Sequence, residues 1–294
     1  MTSRQPIAVL GATGNQGGHV ARALLEAGWP VRAITRHPES PRAKQLATLG
    51  AQIVQADMGD VVTLIRAFEG ASGIFSVQNF WELGLREEVR LGTNVITAAQ
   101  AVGNPHVVYS SGLGAERSQG VAAIDGKAIL EERLRQSGLP FTILRPGLFT
   151  DDFLGASLPF RPVIQRFFKA HRPLIGRLFL SIIRDVFPSD HPVPLTTLQS
   201  VGDLAVWAWE NQGESKGKII PMVGDLVLPK ILYTMWTEAS GQTVPGVPAV
   251  LIGLRLGHPQ MAQLLKWLSR SDFTVTIAPF ALPSYGEWLH SIVG

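Results

Sequence analysis

The chain has 294 residues, 46% of them hydrophobic and 17% charged, which supplies a sizeable core and argues against disorder. It contains no cysteine, so disulfides, thiolate metal sites and cysteine nucleophiles are excluded. A net charge of +3 is too small to imply direct nucleic-acid binding. No signal-type hydrophobic start and no membrane-length apolar stretch is read, so a cytoplasmic protein without a transmembrane segment is expected.

Ile7-Ala8-Val9-Leu10 is a short, wholly apolar run, as a central parallel strand buried on both faces requires. Gly11-Ala12-Thr13-Gly14-Asn15-Gln16-Gly17-Gly18 follows at once, then apolar residues at helical spacing until Gly28. A second β-rich run, Val31-Arg32-Ala33-Ile34-Thr35, completes a βαβ unit. In such a unit Gly11 permits the tight turn out of the strand and Gly14 lets the backbone approach a pyrophosphate. Gly17 lets the helix pack close to the sheet, and the helix N-terminus points N–H groups at the phosphates. This context, not the glycine pattern alone, makes the reading a dinucleotide site.

Cofactor choice turns on the end of the second strand. An NAD site places an acid there; this chain has Thr35-Arg36-His37, and the Arg36 guanidinium suits a 2′-phosphate. NADP(H) is therefore expected over NAD(H).

Further strands are expected at 52–57, 73–78, 106–111 and 141–145, with helices at 41–49, 61–68, 87–102 and 126–136. This alternation predicts an α/β fold, a doubly wound parallel sheet (Rossmann) with a smaller C-terminal substrate lobe. The domains are expected at 1–155 and 156–294, the second contributing some elements back to the first. Ligands collect at the carboxyl ends of such strands, where Asp57, Gln78, Asn79, Ser110, Ser111, Pro146 and Gly147 fall. Asp57 suits the adenine amino group.

The glycine run 11–18, Thr35-Arg36, Gln55-Ala56-Asp57 and Asn79-Phe80-Trp81-Glu82 together resemble the NmrA-like family of atypical short-chain dehydrogenases/reductases. The stretches 107–112, 125–127 and 144–149 extend the likeness, which is close over the first 155 residues and looser beyond. The resemblance implies cofactor contacts at Gly11, Thr13, Gly14, Asn15, Gln16, Gly17, Arg36, Asp57 and Met58. It extends them to Gln78, Asn79, Lys127, Pro146, Gly147 and Phe149. The family includes reductases and also NADP-binding proteins without turnover that act as redox sensors or co-regulators, so membership speaks to the cofactor more than to the activity.

The wider superfamily uses a Ser, a Tyr and a Lys near the nicotinamide. Ser110 or Ser111 and Lys127 match, and these are the candidate catalytic residues. The tyrosine of a Tyr-x-x-x-Lys pair would fall at Ala123, so the ordinary triad is broken. Two ways around this gap stay open: acid/base action by Lys127 itself, or no protein acid, since a quinone or enone can take hydride and then a proton from water. Lys127 would otherwise have a purely cofactor-binding role. Tyr109 reads as a strand-face aromatic. The seven histidines are scattered without ligand spacing, and no Gly-x-Ser-x-Gly elbow occurs.

In the second half, residues 160–187 hold Arg161, Arg166, Lys169, Arg172, Arg177 and Arg184 against one acid, Asp185, a local charge of +5. The segment reads as a substrate-lobe helical pair, with a lid or a basic surface for anionic lipid or an acidic partner as alternatives. A strand joining the substrate lobe is expected at 218–223, a helix at 228–240 and a late strand at 273–277. The functional expectation is an NADP(H)-dependent reductase of a carbonyl, quinone or enone, taking a small apolar or aromatic substrate. The alternative is a non-catalytic NADP(H) sensor with a regulatory protein partner; a homodimer is compatible with either.

Overall fold

The computed structural model describes residues 4–117, 120–154, 172–241, 243–244, 259–273 and 279–293. The chain forms two compact units, one of Met1–Arg145 with Leu198–Ile220 and one of Pro146–Thr197 with Pro221–Gly294.

The first unit is built on a seven-stranded sheet of order β3-β2-β1-β4-β5-β6-β9. Its strands are β1 (Ile7–Val9), β2 (Val31–Thr35), β3 (Gln52–Gln55), β4 (Gly73–Ser76), β5 (His106–Ser110), β6 (Phe141–Pro146) and β9 (Lys218–Met222). The pairs from β3 across to β6 are all parallel. This is the doubly wound α/β arrangement expected from the sequence. All three residues of β1 are fully buried, as a central strand covered on both faces must be.

Helix α1 (Asn15–Glu26) buries Val20, Ala21 and Leu24 on one stripe. It ends where Gly28 takes φ +74°, with Gly28 N–H donating to Leu25 O and Trp29 N–H to Leu24 O, a Schellman cap. Helix α2 (Pro41–Thr48) has Pro41 in its first turn and Ser40 as N-cap, accepting from Ala43 N–H. Helix α3 (Val61–Phe68) is capped by Asp60 through Val62 and Thr63. Helix α4 (Phe80–Ala101) starts seven residues before the expected 87, because Asn79 caps a first turn that joins the main helix across a break at Gly84, φ +73°. Helix α5 (Ala122–Gln136) completes this half. Apolar faces of α3, α4 and α5 share one core, with Leu64, Phe68, Val95, Ala98, Leu130 and Leu134 packed under Ile74, Val107 and Ile143.

The chain returns to this unit with α7 (Leu198–Glu210), the short α8 (Gln212–Ser215) and β9. Gly202 allows α7 to approach α1, since a Cβ there would meet Ala23 Cβ and His19 O at 3.0 Å. The Trp209 indole is buried over Gly73 and donates to His106 O at 3.3 Å. Segment 218–223 was expected to join the substrate lobe; instead Lys218–Met222 extends the main sheet beside β6. The physical reason is this anchoring of α7, followed by Gly217 N–H donating to Phe141 O at 2.7 Å.

The second unit holds a three-stranded sheet: β7 (Leu148–Phe149) runs parallel to β8 (Val193–Thr196), and β10 (Asp225–Val227) antiparallel to it. Helices α6 (Arg172–Val186), α9 (Pro229–Ser240), α10 (Pro259–Leu268) and α11 (Tyr285–Val293) accompany it. Phe153 is fully buried among Phe179, Tyr285 and Trp288, with ring centroids 4.9 to 6.1 Å away. Gly176 leaves the space that the Trp236 ring occupies. Arg177 and Arg184 donate to the carbonyls of Thr243 and Val244. Arg161, Arg166 and Lys169 lie outside the described residues, as does most of the expected strand 273–277. Among the described residues no helix is long and apolar enough to cross a membrane.

Candidate functional site

A parallel sheet aims every strand the same way, so its carboxyl edge gathers the loops after β1, β2, β3, β4 and β5. Directly after β1, Gly11 adopts φ +61° and its carbonyl accepts from Gly14 N–H at 2.8 Å, closing the loop. A Cβ on Gly17 would lie 2.6 Å from Leu10 O and closer still to Gly11 O, so only glycine lets α1 start here. Gly14 caps α1 without any side-chain hydrogen bond, which leaves the helix N-terminus to an external anion. Beside this turn lies a recess of about 220 Å³ bounded by Ala12, Thr13, Gly14, Asn15, His19, Arg22 and Arg42. The residues present therefore fit a dinucleotide phosphate: a backbone cradle that a Cβ would fill, with cationic side chains at its rim.

Arg36 is exposed just past β2, and Gln55 Nε2 donates to its carbonyl at 3.4 Å. Asp57 is exposed and its Oδ1 accepts from Gly59 N–H at 2.7 Å. Met58 packs beside Gln78, whose Nε2 lies 3.8 Å from its sulfur and 3.0 Å from Ser76 Oγ. Gln78 is buried, and its Oε1 has no hydrogen-bond partner. Asn79 uses its side chain to cap α4. In the second unit Pro146 ends β6, Gly147 N–H donates to Thr196 Oγ1 at 2.8 Å, and Phe149 closes β7.

The two candidate serines part company. Ser110 Oγ donates to Gln16 Oε1 on α1 at 2.6 Å. Ser111 is buried and donates to Glu131 Oε1 at 2.5 Å. Glu131 in turn holds Arg145 through both oxygens, at 2.9 and 2.5 Å, and Arg145 also pairs with Glu116 at 2.5 Å. Burial works against the Arg145 charge, but hydrogen bonds and attraction from these two carboxylates outweigh it and keep the guanidinium above its ordinary range. Ser111 thus belongs to a closed ionic network, and Ser110 to the glycine-loop side of the sheet.

Lys127 Nζ donates to Glu88 Oε1 at 2.9 Å; Glu88 is fully buried, while the lysine side chain is 18% exposed. Gly112, just after β5, leaves room for the lysine stem, since a Cβ there would touch Lys127 Cδ at 3.0 Å. Tyr109 is buried with its hydroxyl unpartnered, and burial, then the charges of Glu88 and Glu131, push its phenol well above the ordinary range. Ala123, at the position a Tyr-x-x-x-Lys pair would fill, is buried in α5.

Two residues were missed by the sequence reading. Arg42 donates to Thr13 O at 2.8 Å and so carries a second guanidinium onto the glycine loop. Its signal was only its nearness to Arg36. Glu88 had a readable one: it occupies the stripe of α4 otherwise formed by Leu91, Gly92, Val95, Ala98 and Ala99.

Comparison with known proteins gives the family and the fold. The profile of the NmrA-like family matches residues 3–248. The chain belongs to the NmrA-like family. Among curated relatives, the NmrA-like family domain-containing oxidoreductase himF of Aspergillus japonicus is 35% identical over 216 residues, covering 66% of this chain. The chain spans just under two thirds of that relative's length, 65%. An NADPH-dependent quinone oxidoreductase of Escherichia coli, solved with NADPH, shares 25% identity with a TM-score of 0.65 over 90% of this chain and 86% of that one. The negative transcriptional regulator NmrA, solved with NADP, shares the fold at 20% identity and a TM-score of 0.69, over 90% of this chain and 83% of that one.

Proposed function

We propose that this chain is an NADP(H)-dependent oxidoreductase that reduces a carbonyl, quinone or enone in an apolar substrate. The observation that carries the reading is Lys127: a cation with its stem against the exit of β5 and its partner, Glu88, wholly inside the protein. A charge held so at the carboxyl edge of a Rossmann sheet is of use where negative charge develops on a substrate oxygen. The bound cofactor would supply hydride. Lys127 would donate a hydrogen bond or a proton to the oxygen that gains charge, and Ser110, tied to Gln16, would order the same edge. The pyrophosphate would rest on the Gly11–Gly17 turn, and Arg36 with Arg42 would take the 2′-phosphate, favouring NADP(H). The likeness to the quinone oxidoreductase supports the reaction class.

A second reading, an NADP(H)-responsive regulator acting through a protein partner, is favoured by one observation: buried Ala123 stands where a proton-donating tyrosine would be. Titration of NADPH fluorescence, alone and with quinones, enones and aromatic aldehydes, separates the two. Consumption that Lys127→Ala abolishes while binding is kept supports the enzyme. Tight binding with no consumption of any acceptor moves the conclusion to the regulator.

A further inference from the structure

We propose that Glu88 is the positioning residue of this site, a buried carboxylate that fixes the Lys127 ammonium at the carboxyl edge of the sheet. The proposal rests on the role given to Lys127 above. A carboxylate without solvent contact is costly unless it is paired, and Glu88 is fully buried on an otherwise apolar helix face.

The contrast with Glu131 is informative. Glu131, four residues beyond Lys127 on α5, has both oxygens bonded, to Arg145 and Ser111, as a purely structural ion pair should. Glu88 has one bonded oxygen; its Oε1 meets Lys127 at 2.9 Å, and its Oε2 is buried without a hydrogen-bond partner. Its carboxylate is therefore committed to one cation and is poorly satisfied otherwise.

Two glycines make the space for this arrangement. A Cβ on Gly126 would collide with Glu88 Oε2, and a Cβ on Gly112 would press on the Lys127 stem. Tyr109 from β5 feels the charges of both Glu88 and Glu131, and Glu131 is itself occupied by Arg145. Tyr109 is kept neutral by its burial and offers Lys127 no counter-charge. Glu88 is thus the anchor: it lies wholly inside the protein, while the Lys127 side chain it holds keeps 18% of its surface exposed.

The test compares Glu88→Gln, Glu88→Asp and Gly126→Ala with the parent protein. The first readout is labelling of Lys127 by an amine-directed N-hydroxysuccinimide ester, followed by peptide mass spectrometry on cofactor-free protein. The second is kcat against KM for NADPH consumption. Glu88→Gln should label Lys127 several-fold faster and lower kcat roughly tenfold or more, with the KM for NADPH changed much less. Gly126→Ala, which displaces the carboxylate without altering its chemistry, should reproduce both effects, and Glu88→Asp should recover part of each. Unchanged labelling in a folded Glu88→Gln or Gly126→Ala protein overturns the proposal, as does equal loss in all three with labelling unmoved. If Glu88→Gln does not fold, the other two variants decide. Turnover that survives Lys127→Ala would overturn the function assigned to Lys127, while labelling would still judge the pair.

Discussion

Directly after β1 of the first unit's sheet, the site is made of backbone. Gly11, Gly14 and Gly17 shape a turn that leads straight into the helix N-terminus, and no side chain caps α1. Around the exit of β5 it is made of side chains paired with one another: Ser110 with Gln16, Ser111 with Glu131, Lys127 with Glu88. The difference teaches how each half tolerates change. A backbone cradle fails when anything is added to it, whereas a side-chain pair fails when either member is removed or loses its charge.

The largest expected effect tests the cradle. Gly17→Ala forces a methyl against two backbone carbonyls that cannot yield, so NADPH affinity should fall on the order of 100-fold, with about 1–3 kcal/mol of stability lost to overpacking. A fluorescence titration showing ordinary affinity would remove the backbone account. Lys127→Ala comes next; loss of one acid or donor should cost roughly 100-fold in kcat for acceptor reduction and only a few-fold in NADPH affinity, with no overpacking loss of stability of the kind expected at Gly17. Equal losses in kcat and binding would instead make the lysine a cofactor ligand.

The side-chain character of β5 extends to its amino end, where pH supplies the probe. Burial first, then the Lys216 charge, push the His106 imidazole down to about 4, against the opposing bond with Phe141. Between that value and an unfolded value of about 6.5, the unfolded chain takes a proton that the folded one refuses. Stability is therefore full above pH 6.5 and declines as pH falls toward 4, by up to about 3 kcal/mol. Denaturant midpoints across this window should slope for the parent and flatten for His106→Gln. The smallest expected effect is at the rim of the cradle: Arg36→Ala or Arg42→Ala should weaken NADPH roughly tenfold, leaving NADH nearly unchanged. Equal weakening of both nucleotides would show that neither guanidinium reads the 2′-phosphate.

Much of the first unit was legible because its signals are local. An apolar run, a glycine turn and a helical stripe follow one another within about thirty residues, and each forms its structure largely from its neighbours. Helix α3 lies within the expected 61–68 for the same reason, since Asp60 caps it from one residue away. Which element of the second half returns was not legible, because Trp209 of α7 finds its slot over Gly73, more than a hundred residues earlier. Nor was the sorting of the two serines. Adjacent strand residues point to opposite faces, so Ser110 and Ser111 differ only through which helix lies beneath each.

The sequence alone determined that this chain begins with a dinucleotide cradle in a parallel sheet, because glycine spacing and strand hydrophobicity are constraints on the backbone itself. Only the tertiary structure decided which charges act together. Glu88 and Lys127 stand thirty-nine residues apart on different helices, and a carboxylate becomes a dedicated partner only when packing has removed every other solvent and counter-ion from its reach.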